Sequence, residues 1–110
     1  MLLNSTRTFQ VWAYSVSCSQ LLIRSPSTGD EPRNLDVAFW GVEEIQILSG
    51  YEGLKIAEDG PPSADGLRRF VLRSRGLAQG HICAAGIRIS ANTLGSSETE
   101  LPFFNFSSVT

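Results

Sequence analysis

One histidine and two cysteines are the residues of this chain best suited to chemistry, and two of the three, His81 and Cys83, lie close together. A cysteine beside an imidazole can be held as a thiolate nucleophile. The surrounding run, His81 to Ser90 (HICAAGIRIS), reads as a strand, and side chains at i and i+2 of a strand stand about 7 Å apart. That is beyond hydrogen-bond reach, so the expectation is an ordinary, partly exposed histidine beside a buried thiol. Cys18 is too remote to form a CxxC redox or zinc pair with Cys83. Two buried free thiols and a single bridge between them both fit the sequence. One histidine and two distant cysteines make no metal-ligand set. The adjacent carboxylates Glu43-Glu44 and Glu58-Asp59 would point to opposite faces of a strand, which does not support paired acid/base work. With no GxGxxG, Walker A or GxSxG motif, the chain is expected to be a non-enzyme without cofactor or metal.

Charge offers a different lead. Residues 30 to 65 carry nine acids against Arg33 and Lys55, whereas residues 66 to 97 carry five arginines and no acid. Such asymmetry either steers a charged partner or pairs the two halves of the molecule internally. On a strand Arg69, Arg73 and Arg75 share a face with Val71, a stripe able to hold phosphate or carboxylate oxygens in planar forks. Asp36 sits in an otherwise apolar run, and Arg24 is its expected cross-strand partner. Trp12, Tyr14, Arg24, Asp36 and Trp40 are therefore a candidate binding patch, since aromatics and arginine are over-represented at binding hot spots. The alternative is an exposed ion pair with the tryptophans in the core.

The elements that must position these residues alternate at period two almost throughout, the strand signal. Phe9–Val16 and Gln20–Ser25 read as a hairpin, with Trp12, Tyr14 and Val16 on one face and Phe9, Val11 and Ala13 on the other. Pro26 to Pro32 is a loop. Strands are expected over Asn34–Val42, Glu44–Leu48, Leu54–Ala57, Leu67–Ser74 and His81–Ser90, and a last one over Leu101–Phe106, where Pro102 confines it to an edge or to its own start. The fold class is mainly β: seven or eight short strands as a two-sheet sandwich or a partly closed barrel. The alternative is α+β with one short helix near residues 58–69.

At 110 residues the chain is one domain, 1–110, with residues 1–8 and 107–110 expected as flexible ends. It is 42% hydrophobic and 18% charged, outside the composition of disorder. No apolar run approaches the ~20 residues that span a bilayer, and the start lacks the basic and apolar regions of a secretory signal. A cytoplasmic protein without membrane contact is expected. A net charge of −2 argues against nucleic acid.

Val11-Trp12-Ala13-Tyr14-Ser15-Val16, Ser19-Gln20-Leu21-Leu22-Ile23-Arg24-Ser25 and Asn34-Leu35-Asp36-Val37-Ala38-Phe39-Trp40-Gly41-Val42 resemble a group of short, uncharacterised bacterial proteins. These share a W-x-Y-S-V, S-Q-L-L-x-R-S and N-x-D-x-x-F-x-G-V order over about residues 11 to 56. The resemblance implies a bacterial, intracellular protein and no particular activity. Taken together, the expectation is a module that binds a protein partner, accessory or immunity-like, through the aromatic patch or the arginine stripe. A small-ligand pocket lined by Trp12, Tyr14 and Trp40, and a homodimer formed through a strand edge, are the alternatives.

Overall fold

The structure, a computed structural model, describes residues 1–96 and 98. Eight strands follow in chain order: β1 Leu3–Ser15, β2 Gln20–Ser25, β3 Asn34–Trp40, β4 Glu44–Ile47, β5 Gly50–Glu58, β6 Arg68–Ser74, β7 Leu77–Ala84 and β8 Gly86–Asn92. All pair antiparallel in one sheet of order β4-β7-β6-β5-β1-β2-β3-β8. The mainly β class is as expected, and the whole forms a single small domain. No helix occurs among the described residues: Ser63–Gly66 makes only a turn, closed by Gly66 N–H to the Ser63 carbonyl at 2.9 Å. The Gly60-Pro61-Pro62 run before it withholds the donors and the backbone freedom a helix needs. The strand expected over Leu101–Phe106 lies outside the described residues, as do 107–110.

One face of the sheet carries nearly all the large apolar side chains. Phe9, Leu21, Ile23, Val37, Phe39, Leu54, Ile56, Phe70, Leu72 and Ile82 are each at most 1% exposed and belong to one cluster. The sheet curls to bring them together, since the Phe39 and Phe70 rings of β3 and β6, four places apart in the sheet order, have centroids 5.5 Å apart. Tilted at 60°, that pair has the offset geometry aromatic quadrupoles favour. β3 runs on toward β4 as β7 runs on toward β8. Ala85 N–H donates to the Trp40 carbonyl at 3.0 Å and Glu43 N–H to the Cys83 carbonyl at 2.9 Å, so the two bent halves stay paired across the break. Gly41 permits that bend with a φ of +60° and no Cβ, which would stand 2.6 Å from the Ala85 Cβ.

Several local expectations change. β1 begins at Leu3, and residues 3–5 pair with β5, so the start of the chain is strand rather than loose end. A shift of register between Val11 and Ala13 breaks the alternation of β1. Tyr14 consequently lies opposite Leu21 on the core face, while Trp12 and Ala13 pack on Leu22 and Ala38 of the other. A one-residue bulge reverses every side chain after it, which is why Trp12 and Tyr14 do not share a face. Cys18 is exposed in the β1–β2 turn rather than buried, Cys83 is half-buried, and both are free. Between β6 and β7, Arg75 and Gly76 have φ of 56° and 77°, the positive pair a two-residue type I′ hairpin loop requires.

Candidate functional site

The outer face of β2 and β3 is where the expected patch falls. The register sets Arg24 opposite Asp36, Leu22 opposite Ala38 and Gln20 opposite Trp40. Arg24 Nε donates to Asp36 Oδ1 at 2.7 Å and Nη2 to Oδ2 at 2.9 Å, a planar two-bond fork. Asn92 Nδ2 of β8 holds Oδ2 from the other side at 2.8 Å. The guanidinium lies 5.4 Å from the centroid of the Trp12 ring, in cation–π range. Arg24 is 0% and Asp36 3% exposed.

What buries them is the chain after β8. Residues 94–96 and 98 lie over this face as a strap: Asn34 Nδ2 donates to the Leu94 carbonyl at 2.7 Å and Arg24 Nη1 to that of Gly95 at 3.1 Å. Trp12 Nε1 donates to the Ser96 carbonyl at 2.9 Å and Arg24 Nη2 to that of Glu98 at 2.8 Å. All six residues of β2 are buried: Leu21 and Ile23 in the core, Leu22 against Trp12, Ala13 and Ala38, and Arg24 under the strap. Trp40 stays outside the strap, 40% exposed, its ring lying directly on Gly86. A Cβ on Gly86 would meet Trp40 Cζ2 at 2.1 Å, so only glycine lets the indole lie flat there. Gln20, opposite it, is buried with Oε1 unpartnered among the described residues.

The arginine stripe is mostly neutralised by β5 and its flanks. Arg69 Nε meets Asp59 at 3.3 Å, and Arg75 pairs with Glu52. Arg68, on the same strand, forks onto Glu58 at 3.1 and 2.7 Å. The Arg68 hydrogen bond, with some help from its charge, holds the Glu58 carboxyl below the ordinary glutamate range, against partial burial. The same bond raises the Arg68 guanidinium. The acidic and basic segments thus pair largely with each other. Arg73 is different: it lies opposite Lys55, and among the described residues it makes no ion pair.

His81 gives its Nε2 to Glu44 across the β4–β7 ladder. Cys83 stands opposite Glu44 and Arg69, so the imidazole's partner is a carboxylate rather than the thiol. Among the described residues no group of three or more His, Cys, Asp or Glu could hold a metal, and no helix is long and apolar enough to cross a membrane.

A fourth place was not foreseen. Among the described residues β4 pairs only with β7, and β1 beyond Val11 only with β2. Both strands therefore present an open edge to a wedge between them, a cleft of about 550 Å3 lined by Val11, Tyr14, Leu21, Ile45, Ile47, Leu48 and Ser49. Tyr14 and Leu48 are 50% and 48% exposed at its rim. Tyr51 closes the β4–β5 corner beside it: its hydroxyl accepts from Leu48 N–H at 3.0 Å and donates to the Gln79 carbonyl at 2.9 Å. Burial pushes the Tyr51 phenol up, against the lowering effect of the Leu48 bond. The signal in the sequence was the apolar Ile45 and Ile47, which matched an ordinary core-facing strand.

The structure thus joins Trp12, Arg24 and Asp36, sets Trp40 at the far end of the same face, sends Tyr14 to the wedge, and leaves Arg69, Arg73 and Arg75 on β6 and its turn. Trp12 and Tyr14 lie on opposite faces of the sheet, because the β1 bulge puts Tyr14 on the core face. No family model, curated protein or solved structure matches this chain.

Proposed function

We propose that this chain is a non-catalytic protein-binding module, accessory or immunity-like, whose partner lays an extended segment into the wedge between β1 and β4. One observation carries the reading: among the described residues, two open strand edges border a cleft whose lining side chains are mostly apolar, with Ser49 and the Tyr14 hydroxyl the polar groups among them. An added strand would gain main-chain hydrogen bonds from such an edge and place alternate side chains on the apolar floor. Exposed Glu43 and Glu44 lie at the start of β4, and no basic residue lines the cleft. The fitting partner segment alternates apolar residues and carries Lys or Arg beside them. The wedge is also what a barrel leaves where it fails to close, and we take the curled sheet to be a partly closed barrel whose interior is filled by its phenylalanines.

The test is calorimetric titration with synthetic ten-residue peptides that alternate Val, Ile or Phe with polar residues and end in Lys. Saturable binding that falls at least tenfold in Tyr14→Glu and Leu48→Glu, at unchanged melting temperature, is the expected result. Both side chains are about half exposed, so the fold should tolerate the change. Peptide binding indifferent to both substitutions, or none at all, overturns the proposal. Concentration-dependent dimers lost in the same variants would instead assign the edges to a homodimer.

A further inference from the structure

The strap over β1–β3 is held in an unusual way. Among the described residues every donor from the body to the strap, Asn34 Nδ2, Arg24 Nη1 and Nη2, and Trp12 Nε1, ends on a main-chain oxygen of Leu94, Gly95, Ser96 or Glu98. The strap meets them as a turn: Glu98 N–H donates to the Gly95 carbonyl at 3.0 Å, and Gly95 N–H donates to the Glu98 carboxylate at 2.9 Å. Arg24 clamps the first and last carbonyls of that turn, and Trp12 clamps the second. The donors are fixed by groups outside the strap. Asp36 orients the guanidinium, Asn92 orients Asp36, and the Trp12 ring lies over Arg24. A site whose parts are locked by their neighbours keeps its shape when its occupant leaves.

We infer that the outer face of β1–β3 is a socket for a peptide turn, that Leu94, Gly95, Ser96 and Glu98 are its resident ligand, and that the same turn from a second copy of this chain can fill it. Recognition by main-chain oxygens, together with a Gly and a Glu that close the turn, is satisfied identically by either copy. Only exposed Thr93 separates Asn92, the last residue of β8, from the first clamped carbonyl at Leu94. The geometry of that one link decides which copy's turn enters, the circumstance in which a swapped dimer forms at low cost. The inference stands apart from the wedge, which lies on other residues.

The experiment is to delete Thr93 from the full chain, so that Leu94, Gly95, Ser96 and Glu98 no longer reach their own socket, and to measure the assembly by sedimentation. A dimer is expected, dissolved by excess synthetic peptide Thr-Leu-Gly-Ser-Ser-Glu-Thr-Glu. Adding Trp12→Phe, which keeps the ring but removes the N–H donor, should weaken the dimer about ten- to hundredfold, one hydrogen bond being lost in each of its two sockets. A monomer, or a dimer indifferent to both the peptide and Trp12→Phe, overturns the inference. Should the deletion not fold, the unaltered chain is held concentrated in mild denaturant and returned to buffer. Peptide-sensitive dimers are then required, and their absence is equally fatal.

Discussion

Arg24 with Asp36 and Arg75 with Glu52 are both guanidinium–carboxylate pairs, the first between neighbouring strands and the second between the β6–β7 turn and β5. The side chains of the first are 1% and 4% exposed, and those of the second 69% on both sides. Under the strap each nitrogen of Arg24 has an acceptor, and Asp36 takes three hydrogen bonds from Arg24 and Asn92. At the β6–β7 turn, water competes for the same groups and salt screens them. Equal chemistry therefore carries unequal weight: the covered pair organises a piece of backbone, and the open pair settles the charge of a hairpin tip.

The comparison can be broken at its stronger end first. Arg24→Ala leaves Asp36 covered and short of its fork, and should cost about 3 to 5 kcal/mol in chemical denaturation. Arg24→Met with Asp36→Leu removes both charges together and should cost far less. If the single and double variants lose stability equally, the pair is no more than two packed side chains. At the open end, Arg75→Gln should change stability by less than about 1 kcal/mol, shrinking further at high salt. A loss as large as that of Arg24→Ala would erase the distinction.

The smallest effect concerns acid. Glu58 has a folded value below its ordinary one, so its contribution is present above the ordinary glutamate value of 4.5 and disappears as pH falls through the lowered folded value. Arg68→Gln removes the cause of the shift, and the acid limb of the stability profile should flatten correspondingly. Arg68, raised in its turn, contributes below its ordinary value and loses that contribution only in strong base. A profile between pH 3 and 6 identical in wild type and variant would show that the fork does not hold the carboxylate.

Much of the fold was legible in residue patterning. Val37, Phe39, Phe70 and Leu72 stand on the core face that their alternation implied, and the Arg24–Asp36 register followed from a lone acid in an apolar strand facing an arginine at the end of the preceding one. What escaped was set by one-residue shifts and by long-range cover. The bulge after Val11 carries no glycine or proline to announce it, and it alone separates Trp12 from Tyr14. The burial of Arg24 depends on main-chain oxygens some seventy residues away, at Gly95 and Glu98, and backbone acceptors leave no trace in side-chain pattern. The wedge was hidden for a third reason: an unpaired edge is a property of the sheet order, and residues such as Ile45 read the same whether their strand has one neighbour or two.

The placing of Trp12 has an optical consequence. The chain has two tryptophans, Trp12 with its indole N–H bound to the strap and its ring over a guanidinium, and Trp40 lying on Gly86 at the rim. With Trp40 replaced by Phe, the remaining emission comes from Trp12 alone, and its wavelength and quenching report whether the strap is seated. The molecule thereby carries its own gauge of that contact, with no dye attached.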